Sequence, residues 1–314
     1  MNLLSQTLTT TRYLWEREQS WAAKDFFERG LSIGSGQEHL GPVMAQAHRL
    51  LGNIYLDLAK PHAALNAYQK NMELREAIDG PNKSPVADAC NSIACCYTEM
   101  GDTDQAFHWL DRATAIHNAR DPSQLARTLA IRAMTCLRAK QTEAALAALS
   151  ECWRLQGMMQ ADIEKSPYPK HSGDIMLLSR IYWSQGKKQE ARELASRTIT
   201  IRKGVFGEDC GPRVADSLFT VATMSLELEG SLTLASELLR EITSMNGEAQ
   251  EMKGHLARAY WWRAELEATL GADDGVVNEL RQKAREARQL MKGKEWPDED
   301  TNQGFMRLVG WMLW

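Results

Sequence analysis

The sequence predicts an all-α protein, a right-handed α-solenoid of about seven helical hairpins with a capping helix at the carboxyl end. Two observations predict this fold class. Apolar residues follow helical spacing along most of the chain, and a small residue recurs at the centre of a helix at a nearly constant interval. The mean interval is about 42 residues, the size of a two-helix solenoid unit. The recurring residues are Thr11, Gly52, Ala94, Ala133, Ser179, Ala222 and Ala264.

Each unit is predicted to contain a first helix with the small residue at its centre, a turn, and a second helix that opens on alanine. The small residue lets the two helices cross closely, because a large side chain there would push them apart. A tyrosine often follows three positions later, as at Tyr55, Tyr97 and Tyr182, and is expected to fill the space beside the crossing. A weak first unit covers residues 1–35, and clear units cover about 40–290.

Prolines and glycines mark the junctions between units, since proline disfavours helix in the residue before it. The longest junction, residues 157–173, contains two prolines close together and predicts a hinge or a protruding loop. The array is expected to span residues 1–292 and to be followed by an acidic linker over 293–303. An apolar helix over 304–314 then either caps the last unit or docks against a partner or a second copy of the chain.

Composition and charge exclude several classes of protein. Lysine and arginine number 37 and aspartate and glutamate 41, so nucleic acid is not expected as a main partner. No apolar run reaches the ~18 residues that membrane insertion needs, and the first residues lack the pattern of a secretory signal. Six cysteines are too few for a disulfide scaffold in a chain of this length. The expected location is therefore cytoplasmic, with reduced thiols.

Two segments carry a family resemblance: Val-Ala-Asp-Ala-Cys-Asn-Ser-Ile-Ala at 86–94 and Val-Ala-Asp-Ser-Leu at 214–218, each preceded by a loop with glycine and proline. With the repeat pattern, they resemble the tetratricopeptide repeat family, in its longer-period type found in kinesin light chains and fungal STAND-type NTPases. The resemblance covers about residues 40–290. It implies that the first helices line a concave groove and that this groove holds a peptide of a partner protein.

Alignment on the central small residues places arginines, amides and aromatic side chains in the implied groove. Arg49 and Asn53 stand one helical turn apart and resemble the carboxylate clamp of chaperone-binding members. Asn91 and Arg127 are the candidate clamp partners from the next two units, and Asn91 also resembles an asparagine that holds a ligand's main chain. A true clamp, a looser peptide groove and simply solvated helix faces all stay open.

The full set of candidate groove residues includes two tryptophans as apolar anchors. It consists of Arg49, Asn53, Asn91, Arg127, Arg138, Arg180, Trp183, Phe219, Arg258 and Trp261.

Strong catalytic motifs are missing from the sequence. Gly34-Ser35-Gly36 lacks the lysine of a phosphate-binding loop, and neither His-Glu-x-x-His nor Cys-x-x-Cys occurs. No cofactor and no metal are expected. The weak catalytic alternative uses carboxylates beside the groove aromatics to act on an apolar small molecule. These carboxylates are Asp88, Glu99, Asp216 and Glu227.

The sequence therefore predicts a non-catalytic scaffold that binds a peptide segment of a partner protein. One alternative is a stand-alone enzyme or accessory protein of a fungal-type biosynthetic pathway for small molecules. Another is the sensor or oligomerisation array of a larger NTPase assembly, with self-association through the 304–314 helix as a related expectation.

Overall fold

The computed structural model describes residues 3–34, 41–120, 124–207 and 211–311, and within these ranges the chain forms sixteen α-helices and no strand. The all-α prediction is confirmed. Every helix in this part of the chain is too short or too polar to cross a bilayer. The helices are α1 Leu3–Glu16, α2 Ser20–Gly34, α3 Gly41–Asp57, α4 Pro61–Asp79, α5 Ser84–Met100, α6 Thr103–Arg120, α7 Leu125–Arg138, α8 Thr142–Leu155, α9 Gln160–Glu164, α10 Ser172–Ser184, α11 Lys188–Phe206, α12 Pro212–Leu226, α13 Leu232–Ser244, α14 Gln250–Thr269, α15 Asp274–Gln289 and α16 Asn302–Met306.

Within the described ranges, consecutive helices pack into seven hairpins: α1 with α2, α3 with α4, α5 with α6, α7 with α8, α10 with α11, α12 with α13, and α14 with α15. The first helices of successive hairpins also pack on one another, as α3 does on α5, α5 on α7, and α12 on α14. Successive elements of a solenoid lie closest together on the inner side of its curve. Within each part of the chain in which they pack on one another, the first helices therefore form what we call the inner face.

The central small residues lie at the helix crossings, as the repeat pattern predicts. A Cβ atom built on Gly52 of α3 would lie 2.4 Å from the Tyr68 ring of α4, so no side chain fits there. Ala94, Ala133 and Ala222 are fully buried. Tyr55 packs beside its crossing against the cluster that contains Tyr68. Close helix approach thus explains why the residue type recurs.

The chain divides into two compact units, Met1–Ile163 and Glu164–Trp314, which we call unit 1 and unit 2. The boundary falls inside the 157–173 stretch in which the sequence predicts a hinge or loop. This stretch contains the short helix α9 and a 3-10 turn at Pro169–His171. Residues 1–292, over which a single array is expected, are thus shared between the two units.

The carboxyl end differs from the helix expected over 304–314. Helix α16 covers only Asn302–Met306, and the Thr301 hydroxyl caps it by accepting a hydrogen bond from the Gly304 amide at 3.0 Å. Turns follow the helix, and residues 312–314 lie outside the described ranges. The linker before α16 is acidic in composition. It contacts α15 through an ion pair in which the Arg288 guanidinium lies 2.7 Å from the Asp300 carboxylate.

Candidate functional site

The inner face of unit 1 gathers charged side chains from three first helices. The Arg127 guanidinium on α7 lies 3.5 Å from the Asp88 carboxylate on α5, with side chains 44% and 40% exposed. The pKa of Arg49 on α3 is lowered, first by burial and then by the charge of Arg127, while Asp88 opposes the shift. The predicted residues Arg49 and Arg127 therefore face one region, in which a carboxylate ligand would find two guanidinium groups.

Arg12 on α1 belongs to the same region, although it is absent from the predicted set. It is exposed, and its charge also lowers the pKa of Arg49. Arg12 directly follows Thr11, the small residue of the weak first unit, just as Asn53 follows Gly52. The repeat register is therefore the signal that could have identified it. We call Arg12, Arg49, Asp88 and Arg127 the cationic patch.

The two predicted asparagines differ in their surroundings. Asn53 is half-buried, and its Oδ1 accepts a hydrogen bond from the Tyr68 hydroxyl at 2.7 Å. Asn91 is fully buried, and its Nδ2 donates to the Thr128 hydroxyl at 2.9 Å. Because α5 and α7 pack directly on each other, this amide joins the two helices. That Asn91 also holds a ligand's main chain stays a prediction.

The remaining candidates of unit 1 lie farther along the first helices. Arg138 ends α7, is exposed, and lies beside Gly101 at the end of α5. Glu99 is half-buried on α5. Burial raises the pKa of the Cys95 thiol to about 12, with the charge of Arg127 opposing the shift and that of Glu99 adding to it. Cys95 therefore remains a protonated thiol and is a poor nucleophile.

The inner face of unit 2 is centred on Asp216 of α12. Its carboxylate lies 3.2 Å from the Arg258 guanidinium on α14 and 3.5 Å from that of Arg180 on α10. Burial raises the pKa of Asp216, but the charges of Arg180 and Arg258 outweigh this effect and hold the pKa below its ordinary value. Asp216 is therefore ionised at neutral pH and has no proton to donate.

Three predicted aromatic and basic residues of unit 2 are buried by their neighbours. The Arg258 guanidinium carbon lies 3.8 Å from the centroid of the Phe219 ring. Trp261 stacks on Phe305 with ring centroids 4.5 Å apart and planes at 15°, and its indole N–H donates to the Asn302 side-chain oxygen at 2.7 Å. Phe219, Arg258 and Trp261 are only 3%, 3% and 6% exposed. The sequence pattern predicted their place on the first helices, but it did not predict that neighbouring side chains bury them.

The four carboxylates of the catalytic alternative are divided between the units, and three of them, Asp88, Asp216 and Glu227, form ion pairs with basic side chains. Asp88 and Glu99 lie in unit 1, and Asp216 and Glu227 lie in unit 2. Glu227 is exposed and pairs with Lys188 at 3.1 Å, and Lys188 lies 5.0 Å from the ring centroid of the predicted anchor Trp183. Among the described residues, no group of three or more His, Cys, Asp or Glu side chains is arranged to hold a metal ion.

Comparison with known proteins identifies the repeat and the fold. Two family models, both of the tetratricopeptide repeat, match residues 43–119 and 175–209. No curated protein matches the sequence.

Solved structures with a similar fold include three proteins in complex with signalling factors or peptides. NprR in complex with its cognate peptide NprX is 15% identical with a TM-score of 0.63, and the match covers 97% of this chain and 86% of NprR. The Rap conjugation gene regulator of the plasmid pLS20, in complex with a Phr peptide, is 15% identical with a TM-score of 0.62, covering 91% and 73%. A Rap protein complexed with competence and sporulation factor is 14% identical with a TM-score of 0.59, covering 91% and 89%. At these identities the likeness is one of fold.

Proposed function

The chain contains tetratricopeptide repeats over residues 43–119 and 175–209, and we propose on that premise that it is a scaffold whose unit 1 binds an acidic peptide segment of a partner protein. The binding surface is the cationic patch on the inner face. Arg49 and Arg127 pair with a carboxylate of the peptide, and the Asn53 amide donates to it from one helical turn away. Exposed Arg12 extends the same surface along α1.

The observation that carries this proposal is the ion pair between Arg127 of α7 and Asp88 of α5, 3.5 Å apart and 44% and 40% exposed, with Arg49 of α3 beside it. Burial lowers the pKa of Arg49, and the charges of Arg127 and Arg12 lower it further, so both guanidinium groups face Arg49. The cationic patch contains one carboxylate, that of Asp88, against three arginines, so it keeps an excess of positive charge that attracts an anionic ligand. An arginine guanidinium meets a carboxylate with two parallel hydrogen bonds, which adds geometric selectivity to the charge attraction.

The similar folds support a peptide as the ligand. NprR and the plasmid-borne Rap regulator are seen with peptides bound. These complexes describe those proteins, and what they contribute is that this arrangement of helices accommodates a peptide. The chemistry of the ligand comes from the charged side chains of this chain.

The test is selection from a random peptide library with the wild-type chain and with the double variant Arg49→Glu/Arg127→Glu. We expect the wild type to enrich peptides rich in Asp and Glu. The double variant should bind the best of these peptides at least about tenfold more weakly in titration calorimetry, because two attractive contacts become repulsive.

The matched control is Arg154→Glu on α8, a second helix. Arg154 is 69% exposed and pairs with Glu151 of its own helix, so its reversal should leave peptide affinity unchanged. Circular dichroism and melting temperature must agree among the three chains. Unchanged affinity in a folded Arg49→Glu/Arg127→Glu variant would rule out the cationic patch as the binding surface.

A further inference from the structure

Residues 301–311, which we call the tail segment, lie along the inner face of unit 2. Helix α16 packs on α14, where Phe305 stacks on Trp261. At the other end of the segment, the Trp311 carbonyl oxygen accepts a hydrogen bond from the Arg180 guanidinium of α10, whose carbon lies 5.6 Å from the Trp311 ring centroid. The segment thus reaches from the first helix of the last hairpin back to the first helix of the first hairpin in unit 2.

This course differs from that of a helix that only caps a solenoid. A cap covers the apolar surface of the terminal hairpin, and the residues near Phe305 do this. Trp311 lies instead at α10, two hairpins earlier in the chain, and there the contact includes a backbone carbonyl that any peptide possesses. Main-chain hydrogen bonds together with side-chain pockets are one of the recurring ways in which a protein surface holds a peptide.

Three apolar side chains of the tail segment are buried, as the anchoring side chains of a bound peptide would be. Phe305, Leu308 and Val309 are 0%, 4% and 6% exposed, whereas Met306 is 36% exposed. Phe305 lies between two groups of unit 2, the Trp261 ring on which it stacks and the Arg288 guanidinium, whose carbon is 4.6 Å from the Phe305 centroid. One edge of the segment is therefore apolar and buried.

Gly254 of α14 provides the room for this approach. A Cβ atom at Gly254 would lie 2.4 Å from the Leu308 carbonyl oxygen of the tail segment. Glycine inside a helix costs about 1 kcal/mol relative to alanine. Direct contact between the α14 backbone and the tail backbone accounts for a glycine at this position.

We propose that the inner face of unit 2 is a second peptide-binding site and that the tail segment is its displaceable internal ligand. The site takes a short helical turn with an aromatic residue followed three positions later by an aliphatic one, as Phe305 and Leu308 are here, and receives a main-chain carbonyl at Arg180. A partner segment of this chemistry binds only after displacing the tail segment, which competes at high effective concentration. This site goes beyond the acidic-peptide function of unit 1.

The test uses the full chain with Phe305→Ala/Leu308→Ala, which weakens the tail segment and leaves the face intact. The probe is a fluorescent synthetic peptide corresponding to residues 298–314, followed by fluorescence anisotropy. We expect this variant to bind the probe at least about tenfold more tightly than the wild type, in which the attached segment competes. A peptide that carries the same two alanines should not bind.

A further substitution in the weakened chain locates the bound probe. Adding Gly254→Ala should abolish binding, because the new methyl group occupies the position of the Leu308 carbonyl. Adding Gly204→Ala should not, since Gly204 of α11 has no neighbouring atom within 4 Å of a new Cβ. A folded Phe305→Ala/Leu308→Ala chain that binds the probe no better than the wild type overturns the proposal, as does binding that survives Gly254→Ala.

If the weakened chain fails to fold, hydrogen exchange of the unmodified chain decides. A displaceable tail segment detaches while the hairpin of α14 and α15 stays folded. We therefore expect the amides of residues 305–309 to exchange at least about tenfold faster than those of 256–264 in α14. Equal exchange rates would show that the segment unfolds only together with α14, and would overturn the proposal.

Discussion

Asp216 is the residue on which the buried charge of unit 2 depends. Its carboxylate is the counter-ion of Arg258, which is itself only 3% exposed. Burial lowers the pKa of Arg258 to about 10, and the charge and hydrogen bond of Asp216 oppose this shift. Without the carboxylate, Arg258 and Arg180 would face each other with no anion between them.

We therefore expect Asp216→Asn to lower the free energy of unfolding by about 3–5 kcal/mol, the usual cost of leaving a buried charge without its partner. The control is Asp88→Asn, which breaks the ion pair with Arg127. Both side chains of that pair are at least 40% exposed, so its loss should cost less than about 1 kcal/mol. Urea unfolding followed by circular dichroism measures the free energy of unfolding of both variants. A loss of less than about 1 kcal/mol for Asp216→Asn would contradict the role of Asp216 as the counter-ion of Arg258.

His255 lies within range of the same ion pair and makes unit 2 sensitive to pH. Burial, and then the charge of Arg258, lowers the pKa of His255 to about 3, with Asp216 opposing. An unfolded histidine has a pKa of about 6.5. Between these values the unfolded chain binds a proton that the folded chain does not, so stability falls as the pH is lowered.

Between pH 7 and pH 5, His255 should reduce the free energy of unfolding by about 2 kcal/mol. His255→Phe removes the titrating group at similar volume and should remove this part of the pH dependence. The measurement is urea unfolding of both chains at the two pH values. If the variant keeps the full difference, the proton uptake occurs at another group.

The crossing of α3 and α4 illustrates how a repeat element depends on one small residue. Gly52 contacts the Tyr68 ring, and the Tyr68 hydroxyl in turn donates a hydrogen bond to Asn53, which stands one helical turn from Arg49 of the cationic patch. Packing at the crossing therefore positions a candidate ligand-binding amide on the inner face. The regular spacing of the small residues reflects the need for a small side chain at the helix crossing of each hairpin.

We expect Gly52→Ala to destabilise the protein by about 1–3 kcal/mol, since the added methyl group forces the Tyr68 ring out of place. Gly204→Ala is the control. It adds the same methyl group to a helix where nothing lies within 4 Å, and should stabilise by up to about 1 kcal/mol through helix propensity. Thermal unfolding distinguishes the two, and opposite signs are the expected result. Stabilisation by Gly52→Ala would show that the crossing tolerates a larger residue.

Across the whole molecule, helix packing is mostly local in the chain. The helix pairs that pack substantially are one or two elements apart, so stability is close to a sum of hairpin and nearest-neighbour contributions. The contact between Arg180 and Trp311 is an exception, because it joins residues 131 positions apart. This contact therefore depends on how the tail segment packs and not on the contacts between neighbouring hairpins.

Local packing also explains how much could be predicted from the sequence. A nearly constant period and one small residue per crossing were enough to predict the fold class and the hairpins, because both depend on contacts between neighbouring elements. The burial of Asn91 was not predicted, because the repeat pattern does not show which residues of a first helix the next first helix covers.

The sequence by itself therefore determined an all-α solenoid of helical hairpins and placed candidate arginines on its first helices. Only the tertiary structure decided that Asp216 joins Arg180 and Arg258, and that the tail segment covers Trp261. Helical periodicity reports which face of a helix is apolar. It carries no information about which distant backbone will lie on that face, and this depends on where the chain returns after the last hairpin.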